Sequence, residues 1–262
     1  MDQQPEDIEF EIIRRMMDQD DFSVNEAINQ VTTRATVLSQ DARELEIHAN
    51  DIADSMFDYA LKTHHSQQSK LVNFITILQK TSIPHPDGGV ATHPWSGAFW
   101  TDLPLIGMTW ADYSASYAPE DSTNDSRGNE EYENFMAFVA QLSEIGVGRL
   151  NVTTQWSYKS LCEIFEEDNG GPTRVQVRVA CIWFIYAPQK VWNDALLGRT
   201  YRENSFQVDS WVRWRKFLEE SQTAAWLDED TQELLRCALL NMYWRGGGIP
   251  TRDELYFRRR RI

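Results

Sequence analysis

The chain is 262 residues long, 42% hydrophobic and 25% charged, with 40 Asp and Glu against 25 Lys and Arg for a net charge of −15. That balance excludes a nucleic-acid surface and a polybasic membrane surface, since both need clustered cations. Ten Trp, nine Tyr and twelve Phe exclude a disordered acidic solubiliser and supply the apolar volume of a folded core.

The start, Met1 to Asp7, is acidic and lacks the basic opening and apolar core of a signal peptide. Helical spacing then takes over. Ile8, Ile12, Ile13, Met16 and Met17 form one apolar stripe, closed by Asp20 and Asp21. Ser23 with Glu26 predicts a capping box for a second helix, whose Val24, Ala27, Ile28, Val31 and Ala35 share a face. The stretch Asp41 to Lys62 repeats the pattern through Leu45, Ile52, Met56 and Tyr59, and Leu71, Phe74, Ile75 and Leu78 predict a fourth helix.

Ile83 to Gly89 breaks the pattern with two prolines and two glycines. Trp95 to Pro104 follows, an aromatic segment with the look of a packed irregular stretch. Pro119 to Glu131 reads as a polar, mobile surface loop. Tyr132, Phe135, Met136, Val139 and Leu142 then predict a helix stopped by Gly146, and Thr154 to Glu166 predicts another, closed by Asn169 to Pro172. Val175 to Tyr186 alternates like a strand at first and then runs apolar. Its length, and the lack of a nearby partner run, favour a buried helix. Ser210 to Glu220 and Asp230 to Trp244 are two more amphipathic helices, and Gly246 to Gly248 with Pro250 ends the fold. The reading is all-α: an irregular bundle of roughly nine to eleven helices around one aromatic-rich core. It spans residues 1–262 as one domain, with N-terminal helices over 1–82, a main body over 95–248 and a basic tail over 249–262.

The longest apolar run, Ala180 to Ala187, falls well short of the roughly 20 residues a membrane helix needs. Cys162, Cys181 and Cys237 are odd in number and lie in apolar segments, which reads as reduced thiols in the cytoplasm. The run Arg258 to Arg261 reads as a solvated tail in preference to a nuclear address.

Several blocks resemble a known family. Phe99 to Gly107, with its Trp100, Asp102, Leu103 and Pro104, is similar to a Trp-x-Asp-Leu-Pro block in a fungal group catalogued as a domain of unknown function, number thirty-six thirty-two. Glu131 to Phe138 resembles that family's segment ending Asn-x-x-Ala-Phe, and Thr173 to Val191 its long apolar helix. Ser205 to Trp214 resembles an Arg-Trp-x-x-Trp helix start, with Ser210 standing where the family usually has Arg. The resemblance covers Trp95 to Trp244, implies an all-helical fungal cytosolic protein, and carries over no catalytic residue. It also suggests companionship with specialised-metabolite genes, hence a small-molecule role.

Chemistry is sparse. His64, His65, His85 and His93, with Asp87 or Asp102, meet no metal-ligand spacing, so no metal is expected. There is no G-x-S-x-G elbow, no phosphate loop and no G-x-G-x-x-G, so no cofactor is expected either. Arg178 is the one charge between Val175 and Ala187 and is expected to be buried and paired with Glu163 or Asp102. That trio reads first as a helix-locking ion pair and second as candidate acid–base machinery. Trp100, Trp156, Trp183, Tyr186, Trp211 and Trp214 are the candidate walls of a pocket for a small apolar or aromatic metabolite, the alternative being a filled core. Two functions follow. One is a cofactor-independent small-molecule protein, a cyclase, isomerase or carrier. The other is a non-enzymatic interaction or regulatory scaffold. Neither reading needs nucleic acid or membrane, and oligomeric state is left open.

Overall fold

The computed structural model describes residues 8–93, 97–116, 126–146, 151–166, 173–201, 204–224 and 226–246. Among these residues the chain is all-α, with eleven α-helices and two hairpins of two-residue strands. It divides into two compact units, one over 1–138 and 145–153, the other over 139–144 and 154–262.

The first unit begins with α1 (Ile8–Asp18), whose Ile12, Ile13 and Met16 are buried while Ile8 stays exposed. Helix α2 (Val24–Leu38) opens on the predicted capping box: Ser23 Oγ accepts from the Glu26 backbone at 3.2 Å, and the Glu26 carboxylate accepts from the Ser23 backbone at 2.6 Å. Such a box satisfies two backbone donors that the helix itself leaves open. Asp41 caps α3 (Ala42–Lys62), and α4 (Ser69–Leu78) follows a single 3-10 turn. Where α3 ends, the fully buried Gln68 aims its amide at the carbonyls of Ala60, Thr63 and Asn134. Asn134 in turn accepts from His65 N and donates to Leu61 O. A buried polar pair costs little when its bonds are made in this way.

The aromatic stretch becomes a hairpin, β1 (Thr92–His93) against β2 (Gly97–Ala98), then a turn that buries Phe99 and Trp100. Gly97 at φ +102° is required there, because a Cβ would meet the Asp102 carboxylate at 2.4 Å. Helix α5 (Pro104–Ser116) has no counterpart among the predicted elements. Its apolar residues do not gather on one stripe: Leu105, Ile106 and Trp110 are buried while Met108 faces out. Helix α6 (Ser126–Glu144) starts within the stretch predicted as loop, so the loop reading fails from Ser126 on, and residues 117–125 lie outside the described residues. The boundary between the units falls inside α6. Phe57 gathers Tyr113, Phe135 and Phe138 within 5.5–5.7 Å to make the aromatic centre of the first unit.

In the second unit, α7 (Asn151–Phe165) precedes α8 (Arg174–Tyr186), which confirms the helical reading of the Val175 to Tyr186 run. Thr173 and Gln176 form a capping box at its start. Pro188 forbids continuation of α8 and opens α9 (Pro188–Leu196) in the position where a missing N–H costs nothing. A hairpin of β3 (Thr200–Tyr201) and β4 (Asn204–Ser205) leads to α10 (Val208–Ser221) and α11 (Glu229–Gly246). Helices α8 and α11 pack along each other. Gly146 at φ +72° follows α6 as predicted, while Asn169–Pro172 and everything after Gly246, the arginine run included, fall outside the described residues.

Candidate functional site

The predicted aromatic residues are interior, and their neighbours are known. Trp214 lies between Phe206 and Phe165, stacked at 4.8 and 5.1 Å, and its indole donates to Glu166 Oε1 at 2.7 Å. Trp211 stands edge-on to Phe184 at 5.4 Å and to Trp192 at 5.1 Å. Gly246 closes over it, since a Cβ there would come within 2.5 Å of the indole nitrogen. Trp156 and Trp183 are fully buried. The Trp183 and Trp211 N–H groups find no acceptor among the described residues. Leaving such a donor unmet costs roughly 1–3 kcal/mol, and close ring packing is what offsets it. Tyr186 is half-buried, and burial pushes its hydroxyl up, with Cys237 adding to the shift. Trp211 and Trp214 pack on neighbouring rings as core residues do.

Arg178 is half-buried, not deep among the tryptophans, and its Nη1 donates to Thr231 Oγ1 at 2.9 Å. Thr231 in turn donates its backbone N–H to Asp228, the residue before α11, whose carboxyl is lowered by Thr231 first and by Arg174 and Arg178 as well. Arg178 therefore helps fasten the start of α11 to α8. Glu163 is half-buried on α7. Asp102 belongs to the first unit, where it accepts from Ala98 N at 2.8 Å and shapes its own turn. Trp100, in that unit too, lines a void of only about 10 Å³, room for no more than about one water.

The His64 and His65 rings lie against each other at 4.1 Å, while the other candidate histidines have neighbours of their own. His64 caps the 3-10 turn through Ser66, His85 approaches Asp87 at 3.7 Å, and His93 approaches Glu46 at 3.7 Å. Among the described residues no three His, Cys, Asp or Glu side chains gather as a metal-holding group.

A different feature of the first unit has the size and chemistry of a binding site. Helices α1 and α2 bound a groove of about 500 Å³. Ile8, Ile12, Val37 and Leu38 give it apolar walls, with Asn29, Gln30 and Thr33 as neutral polar groups and Arg34 as the one charged lining residue among the described residues. Its rim is accessible: Val37 is 69% and Ile8 48% exposed.

Arg34 connects this groove to a buried polar cluster. Its Nε donates to Glu9 Oε1 at 2.6 Å, and His48 Nδ1 lies 2.5 Å from the same oxygen. His48, 1% exposed, sets its other nitrogen 3.2 Å from Val31 O and its ring edge-on to Trp100 at 5.9 Å. Both ring nitrogens face oxygen atoms, so the ring is held from both edges. Burial pushes the Glu9 carboxyl up. The hydrogen bond and charge of His48, its own backbone N–H and the charge of Arg34 outweigh that and hold it at about 2. Glu9 is an anion fastened from two sides under the groove.

Sequence reasoning missed Glu9, Arg34 and His48, although a signal was present. Glu9 stands three and four residues before Ile12 and Ile13, and His48 three after Leu45 and four before Ile52, so both share the apolar stripes. A polar residue on a buried stripe needs a partner on another buried stripe, and these two supply one another.

A family model described as protein of unknown function (DUF3632) matches residues 54–238. No curated protein and no solved structure matches the chain. The matched segment contains Asp102, Glu163, Arg178 and the candidate aromatic residues, and it begins after the groove residues and after His48.

Proposed function

The chain belongs to the DUF3632 family, and from that premise we propose that it is a cofactor-independent small-molecule protein that works as a carrier. Its binding surface in this reading is the groove between α1 and α2. The observation that carries the reading is the groove itself: about 500 Å³, apolar-walled and open at Val37 and Ile8. Small-molecule sites typically hold roughly 300–1,000 Å³ and combine apolar walls with a few placed polar groups. Magnitude therefore favours a small ligand over the scaffold reading.

The stacked tryptophans support a filled interior more than a reaction chamber, so a cyclase or isomerase centred on them draws less support than a carrier. Among the described lining residues the groove offers no free acid or base, and the Glu9 carboxylate that meets Arg34 is also held by His48. The setting we propose is the cytoplasm of a fungus, within specialised metabolism. That rests on the family resemblance, with support from Cys162 and Cys181, which are buried and not joined in a disulfide. No helix among the described residues is long and apolar enough to cross a membrane.

The test is titration of the full-length chain with Nile red, a neutral apolar dye. We expect one dye per chain and a loss of at least about tenfold in affinity for Val37→Glu, with the melting temperature unchanged because Val37 is exposed. Equal binding by the variant overturns the reading.

A further inference from the structure

Resting on the groove reading above, we infer that the ligand is an apolar monocarboxylate whose carboxylate docks on Arg34. The guanidinium has two usable edges. Its Nε is occupied by Glu9, while its two terminal amino groups make no hydrogen bond with any described residue. The side chain is 41% exposed, so a ligand can reach it. A planar guanidinium with paired amino groups matches a carboxylate bidentately, in a way that neutral amides and hydroxyls do not.

Glu9 does not compete for those amino groups. Its near oxygen is shared between Arg34 Nε and His48 Nδ1, and His48 is itself tied to Val31 O on its far side. The carboxylate is thereby held by both partners and is 4% exposed, and Glu9 is not among the described lining residues of the groove. The apolar walls, Ile8, Ile12, Val37 and Leu38, take the body of the ligand. Thr33 and Gln30 are the neutral polar lining groups nearest in sequence to Arg34, and among the described residues the lining adds no second cation for a second acid group. Selection against polyanions follows from the whole molecule. A net charge of −15 repels anions in proportion to their charge, so one local cation suits one carboxylate and not several.

Displacement of Nile red from the full-length chain tests this, with decanoate, 1-decanol and acetate as the probes. Decanoate is expected to displace the dye at a concentration about tenfold below that of 1-decanol, and acetate not to displace it at all. Added salt is expected to narrow the gap by weakening decanoate alone. Arg34→Gln is expected to abolish the gap, leaving decanoate no more potent than 1-decanol on the same variant. Arg34→Lys is expected to retain only part of it. The salt series on the unaltered chain decides the matter even if Arg34→Gln fails to fold. Equal potency of decanoate and 1-decanol overturns the carboxylate inference and leaves the groove reading standing. Failure of both to displace the dye overturns the groove reading, and this inference with it.

Discussion

The second unit and the α1–α2 end of the first use their apolar residues in opposite ways. Around Trp211 and Trp214 the rings are sealed against Phe165, Phe184, Trp192 and Phe206, and even two indole N–H groups go unmet so that the packing closes. Between α1 and α2, the smaller Ile8 and Val37 are left in solvent above a buried ion cluster whose every member has a partner. Aromatic density alone is thus a poor guide to a binding site. Large rings fill space well, whereas modest aliphatic residues on two short helices leave it open.

Three measurements bear on that contrast. The largest effect is expected for Trp214→Ala: about 3–5 kcal/mol of lost stability in denaturant unfolding, the usual result of emptying a filled site. A loss below about 1 kcal/mol would mean that Trp214 borders open space, and the contrast would break.

Next comes acid titration of the Glu9 cluster. The Glu9 carboxyl lies at about 2 in the folded chain against 4.5 when free. Its depressed value means that the stabilisation is complete above about pH 4.5 and drains away as pH falls towards about 2, where the folded form takes up its proton too. The difference of about 2.5 units corresponds to something on the order of 3 kcal/mol. It is expected as a difference between the wild-type and Glu9→Gln stability curves that shrinks through this window. A constant difference would place the Glu9 stabilisation outside its charge. The smallest effect is expected for Ser23→Ala, which removes the cap of the groove's longer wall: about 1 kcal/mol by thermal unfolding. If dye affinity drops as well, the groove depends on how firmly α2 is anchored.

Much of the fold was legible because its signals are local. The Ser23–Glu26 box, the Asp41 cap and the stripes Ile12–Ile13–Met16 and Ala27–Ile28–Val31 each predict a helix from residues a turn apart. Helices α5 and α9 were not legible: the first spreads its apolar residues around the cylinder, and the second hides behind Pro188, which ends one helix and opens another. The α1–α2 site depends on contacts between distant positions. Glu9 and His48 are 39 residues apart, and Glu9 and Arg34 are 25 apart, so no window of sequence contains the cluster. The Arg178–Thr231 bond was not legible for the same reason, since its partners are 53 residues apart.

One consequence of Arg34 concerns which sequences this architecture can tolerate. A guanidinium can serve two clients at once because its donors leave a rigid plane in different directions, one edge fastening Glu9 and the other free for a visitor. Lysine carries the same charge as a single ammonium at the end of a flexible stem, so it must choose between the buried anion and the opening. Position 34 therefore couples tolerance to use. A change there that spares the fold by keeping a cation still removes one of its two connections, and variation at this residue should be read as a change in what the helix pair can hold.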